Sequence, residues 1–293
     1  MYAHTRTRWL LAVGATAAVL GVAGCGDDDE GNGGGNGGDG GGTASVELTI
    51  GDLVPLTGDL SPFGPPGRKA ADLAVDQLRS AAREAGVDST LTIEHADTET
   101  SPQAAVQAAR QLISRGVTCI AGPWASAETL AVGQSVAERQ RTPIVSPSST
   151  DAAITDLDDG GYVSRTAPSD ILQARALADV VEQELGGTDA VVSLAARNDA
   201  YGQGFIEQFQ RNWEERGGSV TGPVLYDPEQ PSYNSEAGEI TSGNPDAYVL
   251  IDFFETYAKM GAALVRTGRF DAGRLFTADG LASDTIPEGI PAE

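Results

Sequence analysis

Short β-branched apolar runs alternate with Ala-rich stretches of helical periodicity from residue 46 onward. The alternating run 46–54 predicts a strand, and apolar residues at helical spacing predict a helix over 68–85 that ends at Gly86. The same unit then recurs along the chain. Further strands are predicted over 91–96, 117–121, 143–145, 162–165, 190–195, 220–226 and 247–251, and further helices over 102–115, 126–140, 169–185, 201–216, 232–241 and 254–268.

This alternation of strands and helices predicts βαβ units, which build parallel sheets with helices on both faces. An acidic stretch that ends in glycine, 155–161, interrupts the rhythm, which restarts after 165. We therefore predict an α/β protein with two doubly wound parallel-sheet lobes. The N-terminal lobe is expected over 46–165 and the C-terminal lobe over 166–280, and the chain is expected to cross between them near 165–167.

The first 45 residues differ from the rest of the chain. A weakly basic start, an apolar run over 9–20 and small residues before Cys25 predict a signal peptide over 1–25, and the run is too short to span a bilayer. The segment resembles the lipobox of bacterial lipoproteins, whose cysteine is diacylated and becomes the new N-terminus. An ordinary secretory signal with an incidental cysteine is the alternative. The Gly-rich residues 26–45 are expected to form a flexible tether.

Composition narrows the classes of function. The 293 residues include 19 Lys and Arg against 42 Asp and Glu, a formal net charge of -23, which disfavours nucleic-acid binding. Only 2 His and 2 Cys are present, which disfavours most nucleophilic hydrolases and zinc enzymes, and no metal or cofactor is expected. His95 and Cys119 lie in predicted strands and are interpreted as structural. An enzyme with Asp279 or Asp199 as its acid or base is disfavoured, because no second activated group accompanies either carboxylate.

The turns between strands and helices hold the candidate chemistry. In doubly wound sheets, ligands lie outside the carboxyl ends of the strands, where helix N-termini direct free N–H groups at anions. Turns rich in hydroxyl groups and helix breakers follow the first, third and fourth predicted strands, at 55–64, 122–126 and 146–150. A ligand is therefore expected at this edge of the sheet.

The order of these turns resembles the branched-chain amino-acid-binding family of ABC-transporter substrate-binding proteins, which have the type I periplasmic binding protein fold. The resemblance runs from Val46 to about Ser283. It is carried by six motifs in order: 55–58 (Pro-Leu-Thr-Gly) with 63–64 (Phe-Gly), 122 and 126 (Gly and Ser), 146–150 (Ser-Pro-Ser-Ser-Thr), 165–170 (Arg-Thr-Ala-Pro-Ser-Asp), 199–204 (Asp-Ala-Tyr-Gly-Gln-Gly) and 277–280 (Thr-Ala-Asp-Gly).

The resemblance implies which polar residues hold an amino acid. The ligand carboxylate would bind Ser126, Ser148 and Thr150, and hydroxyl groups with free N–H groups suit a carboxylate. Helix capping alone is the alternative role for Ser126 and Thr150. The ligand ammonium would bind Asp279, with the Tyr201 hydroxyl assisting. Asp279 is shorter than the Glu common in the family, which leaves room for a bridging water or another polar ligand.

The resemblance also implies an aromatic pocket for the ligand side chain. Phe63 and Trp124 would line it, together with Phe253 or Phe254, because the alignment around 252–255 is ambiguous by one residue. The Trp124 indole would take volume from the pocket or stack on the ligand.

The function implied is that of a non-enzymatic, monomeric solute receptor, lipid-anchored at the extracytoplasmic face of the membrane. It would close by hinge motion on a branched-chain or related amino acid and present itself to ABC permease subunits. The alternative is a ligand sensor of the same fold for amides, urea or aromatic acids. Family members continue well beyond the Asp-Gly pair matched by Asp279 and Gly280. The resemblance therefore also predicts that 281–293 is a truncated return segment, and that the chain is of low stability and binds poorly.

Overall fold

Two parallel sheets organise residues 45–282, the part of the chain that the computed structural model describes. The strands are β1 (Val46–Val54), β2 (Ser89–Asp97), β3 (Cys119–Ala121), β4 (Ile144–Ser146), β5 (Val163–Arg165), β6 (Val191–Arg197), β7 (Ser219–Tyr226), β8 (Ala247–Ile251) and β9 (Leu275–Phe276). The first sheet has the order β2-β1-β3-β4-β5, and the second has the order β7-β6-β8-β9. Every pairing in both sheets is parallel.

Helices connect most of the successive strands and cover the sheets. They are α1 (Gly64–Glu84), α2 (Pro102–Ser114), α3 (Ser126–Val132), α4 (Glu138–Gln140), α5 (Asp170–Leu185), α6 (Ala200–Glu215), α7 (Asn234–Ile240) and α8 (Phe254–Arg266). A π-helical turn, Gly133–Ala137, joins α3 to α4, so the helix predicted over 126–140 contains one wider turn. Side-chain caps begin three of the helices: Ser101 caps α2, Ser169 caps α5 and Asp199 caps α6.

The predicted α/β class with two parallel-sheet lobes is confirmed. Strands β1 and β8 have the predicted bounds, and the other predicted strands and helices lie within a few residues of theirs. The sequence pattern did not predict β9 or the short 3₁₀ turns Ser61–Phe63, Ala152–Ile154, Ala272–Arg274 and Asp279–Leu281. These elements are two or three residues long, too short to show a hydrophobic period.

The central strands of the second sheet are buried on both faces. All five residues of β8 are buried, and so are the last six of β6, as expected for parallel strands covered by helices on both sides. One core cluster packs α5 and α6 on this sheet, and another packs α7 and α8 on its opposite face. In the first lobe, the core lies between the sheet and helices α2 and α3.

The chain passes from β5, in the first sheet, to α5, which packs on the second sheet. The lobes meet at the carboxyl ends of their strands, where Leu60 and Ala125 of the first lobe join the core cluster that contains Tyr201 and Phe253 of the second. No helix within 45–282 is long and apolar enough to span a membrane. The predicted signal peptide, Cys25, the tether up to residue 44, and residues 283–293 lie outside the described residues.

Candidate functional site

A cavity of about 230 Å³ lies between the two lobes. Its wall is built by loops at the carboxyl ends of strands from both sheets, which is where doubly wound proteins bind ligands. The residues that line it are Leu60, Phe63, Trp124, Ala125, Ser126 and Ser148 of the first lobe, and Tyr201, Phe253, Asp279 and Gly280 of the second.

The loop between β1 and α1 is held in place by a carboxylate at the end of β2. Asp97 accepts hydrogen bonds from three backbone N–H groups at 2.9–3.1 Å and from the Thr57 hydroxyl at 2.7 Å. Partial burial opposes ionisation, but these donors outweigh it and lower the pKa of Asp97. Further along the loop, the Leu60 N–H donates to Thr100 Oγ1 at 3.0 Å. The loop therefore presents Leu60 and Phe63 to the cavity in a fixed position.

The first lobe offers hydroxyl groups of two kinds. Ser126 Oγ accepts hydrogen bonds from the N–H groups of Thr150 and Asp151, each at 3.2 Å, so the hydroxyl proton of Ser126 remains available for donation. Ser148 Oγ instead donates its proton to the Trp124 carbonyl oxygen at 2.8 Å and retains only lone pairs. Ser126 is therefore a donor at the cavity wall, and Ser148 is an acceptor.

A buried acid lies beneath the start of α3. The Glu128 side chain accepts a hydrogen bond from the Ala125 N–H at 3.1 Å, and burial raises the pKa of Glu128 to about 7. The carboxyl group thereby satisfies a backbone donor next to the cavity and fixes the turn that carries Trp124, Ala125 and Ser126. The sequence pattern gave no sign of this role.

Among the residues that the structure describes, Asp279 is the one carboxylate in the cavity wall. Its Oδ1 accepts hydrogen bonds from the Tyr201 hydroxyl at 2.9 Å and from Gln173 Nε2 at 2.6 Å. Its side chain is exposed through the cavity, but the surrounding protein limits its hydration and raises the pKa of Asp279. The Tyr201 oxygen also accepts a hydrogen bond from the Gly280 N–H at 3.1 Å, which fixes this hydroxyl in place. The carboxylate is therefore oriented before any solute arrives.

A second acid lies behind Asp279. Gln173 Nε2 also donates to Asp170 Oδ1, at 3.3 Å. Asp170 is fully buried, and burial raises the pKa of Asp170 to about 7, with the nearby Asp279 and Asp151 carboxylates adding to the rise. The second-lobe side of the cavity is therefore acidic.

Aromatic rings cover much of the cavity wall. The Phe253 ring stacks on Tyr201, with centroids 5.2 Å apart and an interplanar angle of 10°. Phe254 does not line the cavity and packs instead against Phe63, at 5.5 Å between centroids. Of the two phenylalanines, Phe253 therefore forms part of the cavity wall, and Phe254 lies outside it.

The Trp124 indole rests on helix α1 at Gly67. A Cβ atom at this glycine would lie 2.4 Å from an indole ring carbon, closer than any real contact. The glycine therefore allows the indole to lie against the helix and leaves the cavity its present width.

Most of the residues predicted to bind a ligand meet in this cavity. The cavity wall contains Phe63, Trp124, Ser126, Ser148, Tyr201, Phe253 and Asp279. Thr150 does not line it, because this residue is buried, and its backbone N–H donates to Ser126 Oγ. Sequence reasoning did not identify Leu60, Ala125 or Gly280, which contribute apolar or backbone surface. Residues 45–282 contain no group of three His, Cys, Asp or Glu placed to hold a metal ion.

The family model described as "Periplasmic binding protein" matches residues 47–287. The chain belongs to this family. Its members are solute-binding proteins and not enzymes. Membership also indicates an extracytoplasmic location.

Three relatives define the similarity. The Leu/Ile/Val-binding protein BraC3 of Rhizobium johnstonii is 27% identical over 225 residues, which cover 76% of this chain and 58% of that protein. The chemotactic signal transduction system substrate-binding protein BasB of Halobacterium salinarum is 27% identical over 251 residues, covering 83% of this chain and 59% of that protein. The crystal structure of the leucine-binding protein LivK from Thermotoga maritima superposes with a TM-score of 0.65 at 26% identity, covering 80% of this chain and 63% of that one. The chain spans somewhat more than half the length of the curated relatives it matches.

Proposed function

We propose that this periplasmic binding protein binds a small zwitterionic amino acid, branched-chain or related, between its lobes and delivers it to an ABC importer. The observation that carries the proposal is the polarity of the cavity. A carboxylate, Asp279, stands on the second lobe, a free hydroxyl proton, on Ser126, stands on the first, and aromatic rings line the wall. An amino acid carries the complementary groups.

The ammonium of such a solute would bind Asp279. Gln173 and Tyr201 hold one oxygen of this carboxylate in place, so little side-chain entropy is lost when the cation binds. The lone pairs of Ser148 add an acceptor for an N–H group. Where the short Asp279 side chain leaves a gap, a water molecule can complete the bridge.

The solute carboxylate would bind Ser126. Its hydroxyl proton is free because two backbone N–H groups occupy the lone pairs of Oγ, and Ser126 also begins α3, where backbone N–H groups lack intrahelical acceptors. In this arrangement Thr150 acts indirectly, since its N–H holds Ser126 Oγ in place.

The cavity suits a small solute with an apolar side chain. Its volume of about 230 Å³ is below the roughly 300–1,000 Å³ typical of pockets for drug-sized ligands. Leu60, Phe63, Trp124 and Phe253 would surround the side chain with apolar surface. An aliphatic side chain gains from that burial without needing a polar partner.

A sensor for amides, urea or aromatic acids is the second candidate. The relative BasB is named for chemotactic signal transduction, which favours a sensory role for a domain of this architecture. The cavity itself disfavours free aromatic acids, because their one negative charge would face Asp279 and no cationic side chain within 45–282 lines the wall. An importer subunit and a sensor would therefore differ in the protein that they contact and in the charge of the solute that they bind.

A thermal-shift screen of the full chain tests the solute class. L-leucine, L-isoleucine and L-valine are compared with 4-methylpentanoate, which lacks the ammonium of leucine, and with 4-hydroxybenzoate and urea. A solute that binds only the native state stabilises it by about 2.7 kcal/mol at 100 times its Kd. We expect stabilisation by amino acids alone. Stabilisation by the acids or urea alone would overturn the proposal in favour of the sensor.

The transport role needs a cellular test. If the protein serves an importer, deletion of its gene should abolish high-affinity uptake of the amino acid found in the screen. Unchanged uptake together with a lost behavioural or transcriptional response would instead support the sensory role.

We also propose that the protein is anchored to the extracytoplasmic face of the membrane through lipid on Cys25. The apolar run before this cysteine and the Gly-rich stretch after it support the proposal. One acyl chain gives only marginal membrane binding, so two or more chains are required.

A further inference from the structure

A buried arginine lies where the two lobes meet. The Arg197 side chain, at the end of β6, is 4% exposed and contacts three carboxylates. Its guanidinium lies 2.5 Å from Asp199, 3.0 Å from Asp59 and 3.6 Å from Asp252. One cation therefore has three acidic partners.

The three partners differ in which lobe carries them. Asp252 is fixed within the second lobe by hydrogen bonds from the Tyr226 hydroxyl and the Phe253 N–H, each at 2.8 Å. Asp199 caps helix α6 in the same lobe. Asp59 alone comes from the first lobe, on the loop between β1 and α1. When the lobes separate, Arg197 keeps two carboxylates and loses one.

Other polar contacts between the lobes surround Asp59. The Thr256 hydroxyl, at the start of α8, donates to the same Asp59 oxygen as Arg197, at 2.9 Å. Two residues further along the loop, the Ser61 hydroxyl donates to Glu255 at 2.9 Å. The first-lobe loop is thereby hydrogen-bonded to the end of β6 and the beginning of α8.

This contact region adjoins the cavity on both sides. Asp59 directly precedes Leu60, which lines the cavity, and the Arg197 guanidinium carbon lies 3.9 Å from the centroid of the Phe253 ring, which also lines it. Neither Asp59 nor Arg197 is part of the cavity wall. A change in the ion pair would therefore move the walls without removing a group that touches the solute.

We propose that the Asp59–Arg197 pair is an interlobe latch that positions the cavity walls and biases the protein toward its closed form. The two second-lobe carboxylates keep Arg197 neutralised in the open form, so opening does not leave an unpaired buried charge. Closure adds charge-assisted hydrogen bonds to Asp59. Because apparent affinity scales with the population of the competent form, the latch sets solute affinity from outside the cavity. The effect on affinity rests on the proposed function, whereas the latch itself does not.

Hydrogen exchange of the full chain without solute tests the latch. The variants are Asp59→Asn, which removes the charge, and Asp59→Glu, which retains it. Asp179→Asn is the matched control, because Asp179 pairs with Arg216 at 2.6 Å within the second lobe and is 64% exposed. We expect Asp59→Asn to speed exchange roughly tenfold in peptides covering 57–64 and 253–258, because the hydrogen bonds from Arg197 and Thr256 to position 59 lose the strength that the charge gives them. Asp59→Glu should restore much of the protection, and Asp179→Asn should leave both peptides unchanged.

Calorimetry with L-leucine then measures the effect on affinity. Asp59→Asn should weaken L-leucine binding by roughly tenfold, mainly through faster dissociation, while Asp179→Asn should leave it unchanged. If the wild type does not bind L-leucine, the proposed solute is wrong for that amino acid, and the exchange data alone decide on the latch. Unchanged exchange in both peptides of Asp59→Asn, or equal acceleration in Asp179→Asn, would overturn the latch.

Discussion

Asp279→Asn is the substitution that most directly tests the proposed solute recognition. Asparagine has nearly the same shape as aspartate and keeps an oxygen that can accept the hydrogen bonds from Tyr201 and Gln173. The cavity should therefore keep its form while the Asp279 carboxylate disappears. Affinity for an ammonium group then reports the charge alone.

The expected loss of binding free energy depends on how exposed the Asp279 carboxylate is. Removing one partner of a buried, hydrogen-bonded charge pair costs about 2–5 kcal/mol. Asp279 is exposed through the cavity, so solvent screening places the loss near the lower end, about 2 kcal/mol, or about 30-fold in Kd. Calorimetric titration of wild type and variant with L-leucine measures it directly.

A matched ligand makes the assay sharper. The analogue 4-methylpentanoate has the shape of leucine without the ammonium, so it meets repulsion from Asp279 in the wild type and none in the variant. The preference for leucine over this analogue should therefore collapse in Asp279→Asn. An unchanged Kd for leucine, with the preference retained, would refute the assignment of Asp279 as the ammonium partner.

Three further predictions concern stability and anchoring. The pKa values of Glu128 and Asp170 rise from 4.5 and 3.8 to about 7 on folding. Because the native state binds more protons than the unfolded state between these values, stability should fall as pH rises through this interval. Thermal melts should show this fall, and it should be smaller in Glu128→Gln and Asp170→Asn; the same pH profile in wild type and variants would contradict the prediction. His95→Ala should lower the unfolding free energy by about 1–3 kcal/mol in urea, because buried Asp52 loses its partner at 2.7 Å. Asp72→Asn, which alters the 49% exposed partner of the same imidazole, should cost less than about 1 kcal/mol, so equal losses would argue against this assignment. Cys25→Ser should move the protein out of the membrane fraction and remove the acyl mass, and a membrane-bound variant of unchanged mass would exclude lipidation there.

The parallel-sheet architecture was predictable because hydrophobic periodicity is local. Strand β8 is a continuous apolar run between polar residues, and β1 alternates between apolar and polar residues over its first half. The first and last residues of both strands could therefore be predicted from the sequence. Short elements such as β9 carry no such period. The family resemblance that the turn motifs carry predicts that Ser126, Tyr201 and Asp279 lie at one site, and all three line the cavity.

Contacts between distant elements could not be predicted in this way. Gln173 and Asp279 are 106 residues apart, and Asp59 and Arg197 are 138 apart. Their proximity depends on how helices and lobes pack, which no spacing along the chain encodes. The same limit applies to Ser148, which resembles a donor in sequence but has its proton committed to a backbone carbonyl.

The contact between Trp124 and Gly67 has a consequence for how solute preference can diverge among relatives. The indole rests directly on the glycine backbone. A single methyl group at position 67 would therefore displace the ring toward the solute and leave less room for the side chain of the solute. A size limit is thus set from the far side of the wall, by an atom that the solute never meets. Two proteins with identical contact residues could then accept different amino acids, and a comparison restricted to the residues that touch the solute would assign them the same one.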